Sequence, residues 1–216
     1  MTPGTDPALV LAQWFSPGFP IGAFAYSHGL EWLIESGDLA TAQDLQDWIE
    51  VLLRDGTGKN DAIFVASAYD AETEDQMQML DDLCRAYCSG LGRRVETVEQ
   101  GGAFARTLRD MGAAEVPDMC YPVAVGRAAR LAGLPLGLTI RFYLHAFAAN
   151  LISAAVRRVP LGQVEGQRVL AALAPVIEGL SRAVPDLDLP DLGTTSFAAE
   201  IAGMAHETLY SKTFRT

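Results

Sequence analysis

The chain has 216 residues, with 16 Lys plus Arg against 27 Asp plus Glu, so its formal net charge is −11. Half of the residues are hydrophobic and a fifth are charged, with mean hydropathy +0.15 and a pI near 4.6. This composition supports a substantial core and excludes a disordered chain; the acidity argues against nucleic acid, whose phosphates need a positive face, and against an anionic lipid surface.

The length points to one domain spanning residues 1–216. Cys84, Cys88 and Cys120 are an odd number, and no secretory pattern precedes them. A disulfide framework is not expected, and the cytoplasm is the expected compartment. Residues 7–30 carry no formal charge if His28 is neutral, but prolines and glycines interrupt them. Residues 142–156 are also uncharged and fall short of the roughly 20 residues that a spanning helix needs. A buried helix fits them, and no membrane is expected.

In chain order, the first clear element lies around residues 44–53. Leu45, Trp48, Ile49, Leu52 and Leu53 recur at helical spacing, with Asp44, Asp47, Glu50 and Arg54 opposite. Thr41 is the expected N-cap and Gly56 the stop. Thr73 and Gln76 have capping-box spacing ahead of a stripe of Leu80, Leu83, Cys84, Tyr87 and Leu91. Further helices are expected over 95–111, 119–131 and from Pro135 to about Val159. The last of these is apolar nearly all round, which places it in the middle of the fold. Val169 to Leu180 form another stripe, in which Pro175 is expected to kink or split the helix. Residues 185–195 read as a loop, followed by a short helix over about 196–205 and a tail. No strand alternation of useful length is visible. The predicted class is all-α, a compact bundle of about eight to ten helices.

Several local patterns do not survive inspection. Gly56-Thr57-Gly58-Lys59 lacks the earlier glycine and the following Ser or Thr of a phosphate loop, and reads as a helix-ending loop. His206-Glu207 lacks the second histidine of a zinc-protease helix, because position 210 is Tyr. Cys84 and Cys88 are one helical turn apart, with no histidine near them in sequence. No Ser or Cys is paired with a visible base. Taken alone, these residues describe a helical interaction protein without catalytic residues.

Three segments are too specific for packing to explain. The first runs from Ser16 to Glu31 and reads SPGFPIGAFAYSHGLE. The second runs from Asn150 to Gln167 and contains AAVRRVPLGQVEGQ. The third, HETLYSKTFR, begins at His206. In this order they resemble the signature of the UreF family of urease accessory proteins, roughly SPxxPIGGFSYSHGLE, AxRxxPLGQxxGQ and HETxYSRLFRS. Glu99-Gln100-Gly101 and Ala124-Val125-Gly126 match weaker positions, so the resemblance covers essentially the whole chain. It departs at Ala23 and Ala25, and in the tail at Lys212, Thr213 and Thr216. Lysine in place of arginine loses bidentate geometry.

The resemblance implies a helical, homodimeric assembly factor without cofactors of its own. Such a factor binds UreD (also called UreH) and recruits the GTPase UreG. The complex delivers nickel to apo-urease, so nickel and GTP belong to partner proteins. Expected partner-facing residues are Phe24, Tyr26, His28, Arg141, His145, His206, Glu207, Tyr210, Phe214 and Arg215. Tyr26 has an alternative role in the core, where its hydroxyl needs a partner, and Arg141 has one in a helix-end salt bridge. Pro20, Gly22, Pro160, Gly162, Gln163, Gly166 and Gln167 are expected to shape the chain, with the two glutamines binding backbone groups across a corner. Residues 206–216 are expected to be a tail that orders on UreD or packs beside that interface, because chain ends stay loose unless docked. A rival reading is a direct nickel carrier using His28, His145 or His206. Gating of GTP hydrolysis by UreG is a third possibility that the residues do not separate from docking.

Overall fold

The computed structural model describes residues 4–215. Among them are ten α-helices and no strand. They are α1 (Pro7–Trp14), α2 (Leu30–Ser36), α3 (Ala42–Asp55), α4 (Thr57–Asp70), α5 (Glu74–Ala86), α6 (Leu91–Asp110), α7 (Tyr121–Leu131), α8 (Leu136–Val156), α9 (Gln163–Ala183) and α10 (Phe197–His206). Short 3-10 turns occupy Ala23–Ala25, Val184–Asp186 and Leu189–Asp191; the second overlaps the start of the predicted loop and the third lies within it.

The capped, striped helices form where local chemistry dictates. Thr41 Oγ1 accepts the Asp44 N–H at 3.2 Å, and the Asp44 carboxylate accepts the Thr41 N–H at 2.8 Å. Thr73 and Gln76 make the same reciprocal pair at the start of α5. Leu45, Ile49, Leu52 and Leu53 of α3 are buried, each worth about 1.5–3 kcal/mol of transfer free energy.

Other boundaries shift. The α5 stripe stops at Ala86; Tyr87 is exposed and Leu91 opens α6 instead of continuing α5. α6 starts before Val95 because the Glu207 carboxylate accepts the Gly92 N–H at its first turn. α7 begins at Tyr121 and α8 ends at Val156. α9 starts at Gln163 and runs through Pro175 unbroken. Pro175 and Ala171 are both exposed, so water can meet the carbonyl that proline leaves unbonded.

The most enclosed helix is α4. It begins at Thr57, inside the stretch expected to be a loop, and buries Asp61, Ala62, Ile63, Phe64, Val65, Ala66 and Ala68. α7 packs closely on α4, α6 lies on α7, and α8 joins α4 to α9 and α3. α8 is central, but Arg141, His145 and Ser153 keep one face open to solvent. α2 and α10 pack together at the side where the chain ends. Among the described residues no helix is long and apolar enough to cross a membrane.

Candidate functional site

The loop between α1 and α2 covers a cavity of about 380 Å³. Pro17 and Gly18 turn the chain, Gly22 adopts φ 74°, and Ala23–Ala25 form a single 3-10 turn. Phe15, Ile21, Phe24 and Phe147 supply apolar wall, while Asn150 and Ser153 of α8 line another side. Phe24 is 70% exposed and faces outward at the rim.

A buried polar cluster forms the inner end of this cavity. Asp61 Oδ2 accepts from Arg93 Nη2 and from the Tyr143 hydroxyl, both at 2.8 Å. Arg93 Nη1 lies 3.3 Å from Glu96 Oε2. Glu96 Oε1 meets His28 Nε2 at 2.9 Å and accepts from Gln100 Nε2 at 3.0 Å. Burial pushes the Asp61 carboxyl up, opposed by the Arg93 charge and the Tyr143 hydrogen bond. Burial also pushes the Tyr143 phenol up, and the neighbouring Asp61 charge adds to it. Tyr143 therefore stays a neutral donor. Arg93, Glu96 and Gln100 share one face of α6, a spacing visible in the sequence.

His28 is held in the left-handed region at φ 51°, the only non-glycine described there. Its bond to Glu96 and an edge contact with Phe147, centroids 5.1 Å apart, hold it in place. Gly29 follows at φ 78°, and a Cβ there would lie 2.7 Å from the Ala202 backbone, so α10 approaches only because position 29 is glycine.

The C-terminal segment lies on the same side. Glu31 is fully buried and takes four donors. The Thr213 N–H and Arg158 Nη2 reach Oε1 at 2.8 and 2.9 Å, and His206 Nε2 and the Phe214 N–H reach Oε2, each at 3.0 Å. Burial alone would raise the Glu31 carboxyl, but the His206 bond and the two backbone N–H groups outweigh it and lower it to about 2. Ionised Glu31 is acceptor-only, so His206 Nε2 carries the proton. His206 Nδ1 has no hydrogen-bond partner among the described residues.

Phe214 is buried beneath the Arg157 guanidinium, 4.8 Å from its ring centroid. Arg157 Nη2 also donates to the Phe24 carbonyl at 3.1 Å. The Arg215 N–H donates to the Ala25 carbonyl at 2.7 Å, and its guanidinium pairs with Glu99. The buried Tyr26 hydroxyl donates to Glu99 Oε2 at 2.7 Å. Burial, then this bond to Glu99, pushes the Tyr26 phenol up to about 12.

The predicted residues thus fall into distinct places. Phe24, Tyr26 and His28 join Phe214 and Arg215 on one side of the molecule. His206 is the last residue of α10 and fully buried, and Glu207 caps α6. Tyr210 is fully exposed. Arg141 and His145 lie on the open face of α8 and do not line the cavity. Arg141 Nε donates to Ser181 Oγ at 3.4 Å.

At the α8–α9 corner, Gln163 and Gln167 are exposed, and the backbone bond comes instead from Glu165, which accepts the Gly162 N–H at 2.9 Å. Gly166 is buried against Ile152 and Val156, while Pro160 and Pro20 are exposed turn residues. Of the departing tail positions, Lys212 donates to the Glu207 carbonyl and Thr213 Oγ1 accepts from Arg158. Thr216 lies outside the described residues. Among the described residues no three or more His, Cys, Asp or Glu side chains are arranged to hold a metal ion. Individually, Glu31, Asp61, Arg93, Arg157 and Arg158 carry no role legible from the sequence.

The UreF family model matches residues 39–174. A urease accessory protein UreF from Roseobacter denitrificans is 55% identical, over 98% of this chain and 95% of its own. One from Ruegeria pomeroyi is 47% identical over 100% and 99%, and one from Rhodopseudomonas palustris 41% over 95% and 90%. With its helical fold, and with likeness at this level over nearly its whole length, the chain belongs to the UreF family of urease accessory proteins.

Proposed function

We propose that the protein performs no chemistry of its own and acts as a scaffold. It binds UreD (UreH), recruits the GTPase UreG, and so directs nickel to apo-urease. The observation that carries this reading is the union of two motifs from opposite ends of the chain. The Arg215 N–H bonds the Ala25 carbonyl, and the buried Phe214 lies under the same arginine that holds the Phe24 carbonyl. Exposed Phe24, with Arg215 bonded to the next residue of its loop, and exposed Tyr210 are the aromatic and arginine anchors that interfaces favour.

Deleting Ser211 to Thr216 tests this assignment. UreD binding, measured by calorimetry, is expected to weaken about tenfold or more, the effect of losing one anchor, with far-UV circular dichroism unchanged. Unchanged affinity would remove the tail from the interface.

We also assign homodimerisation to α10. Phe197, Ile201 and Met204 form an apolar stripe that is 65%, 56% and 46% exposed. Placing a carboxylate in that stripe with Ile201→Asp is expected to yield a monomer in light scattering. A dimer that persists would assign the contact elsewhere. The nickel-carrier reading predicts tight stoichiometric nickel binding by the isolated chain, whereas the scaffold predicts weak binding. The three free thiols suit a reducing cytoplasm.

A further inference from the structure

We propose that the outward face of α5 is a docking surface for a basic amphipathic helix of another protein. It is a further face, apart from the loop and the tail, so the scaffold reading stands or falls without it.

α5 carries apolar residues on two sides. Met77, Leu80 and Cys84 are buried, and the helix packs on α4 and α7. Asp75, Gln78, Met79, Asp82, Leu83 and Ala86 line one shallow face on the outside. Their spacing of three and four residues sets them in one row. Met79 is 47% exposed, Ala86 is exposed and Leu83 is half-buried. The core accounts for Leu80 and Cys84 but not for Met79 or Ala86. A methionine at the centre of such a face adapts its shape to what it meets.

The charge around this row names the partner. α5 has four acids and a single cation, Arg85. The buried Asp81 takes up that cation, with Arg85 Nε 2.8 Å from Asp81 Oδ2. Glu74, Asp75 and Asp82 are exposed, as is Glu72 just before the helix. Among the described residues none of these four carboxylates is in a salt bridge. An apolar row between unpaired carboxylates fits a helix with large apolar residues on one side and Lys or Arg at its margins. Six lining residues are few against the roughly 20–30 a side of a standard interface, so one helix fills the face. A second copy, itself at net charge −11, would bring like charge to it.

Calorimetry of the full chain with an amphipathic peptide of leucine and lysine at helical spacing tests the face. Met79→Lys and Asp82→Lys each put a cation at an exposed position, with folding checked by circular dichroism. Each is expected to weaken binding about tenfold, the loss of one anchor. Ile201→Lys, on the apolar stripe of α10, is expected to leave binding unchanged. Raising salt from about 0.1 to 1 M shortens the screening length from about 10 to 3 Å and is expected to weaken binding severalfold. No binding by the unaltered chain, or binding that survives both α5 substitutions, would overturn the proposal. Loss with Ile201→Lys alone would move the site to α10, and binding that strengthens with salt would remove the basic partner. A dimer that Met79→Lys converts to a monomer in light scattering would give the face to a second copy, and would equally overturn it.

Discussion

Replacing Gly101 with alanine is expected to destabilise the protein by about 3 kcal/mol, at the upper end of ordinary overpacking. Gly101 lies in the middle of α6, where the segment Met119 to Tyr121 crosses it. A Cβ there would sit 1.9 Å from the Met119 carbonyl oxygen and 2.7 Å from the Tyr121 nitrogen. Both are backbone atoms, so no rotamer change relieves the clash. The crossing segment is also tied by hydrogen bonds to α5 and to α6 itself. Asp81 Oδ1 accepts the Cys120 N–H at 2.6 Å, and Thr97 Oγ1 accepts the Tyr121 N–H at 3.2 Å. Retreat from α6 would strain these bonds and pull α7 off α4. Urea unfolding monitored by circular dichroism measures the effect. Gly179→Ala in α9 is the control, because nothing lies within 4 Å of its Cβ. It is expected to stabilise by about 0.5–1 kcal/mol through helix propensity. Equal midpoints for the two variants would contradict the packing at Gly101.

The second large effect is a dependence on acid at Glu31. Its carboxyl is lowered from 4.5 to about 2, worth about 3 kcal/mol at roughly 1.4 kcal/mol per pH unit. A group with a depressed folded pKa contributes its stability above its unfolded pKa. That contribution is complete above about pH 5 and is lost as pH falls toward 2. Asp61 acts in the opposite sense: its carboxyl is raised by burial, so protonation relieves it as pH falls. Comparing the wild-type chain with Glu31→Gln cancels that background. The wild-type chain should be more stable at pH 6, and the two unfolding free energies should converge toward pH 2. Parallel curves would show that the ionised Glu31 does not hold the tail.

Local signals were legible in the sequence where cap and stripe lie within a few residues of each other. Thr41 with Asp44 and Thr73 with Gln76 cap the helices that their spacing predicts. α4 was hidden for a physical reason. It is buried on most sides and has no solvent stripe, and its start, Thr57-Gly58-Lys59, carries loop-like residues. Pro175 does not split α9, because an exposed helix surface tolerates the missing bond. The tail shows the limit most clearly. His206, Phe214 and Arg215 are recognisable as specified residues, and the expected holder was a partner protein. Within the chain, Glu31, 175 residues before His206, also binds this segment, with further support from Arg157, Arg158 and the Ala25 carbonyl. Four donors from three separate stretches meet one carboxylate, and no spacing rule reports such a meeting. The polar floor was partly readable, since Arg93, Glu96 and Gln100 recur on one helix face. Their partner Asp61 sits on another helix and needed the fold.

The most direct test of the scaffold is light scattering after size exclusion, with this chain alone and mixed with UreD and GTP-loaded UreG from the same source. The account predicts a stable mixed complex at micromolar concentrations, lost when Ser211 to Thr216 are removed. Separate elution of all three proteins at those concentrations would contradict it.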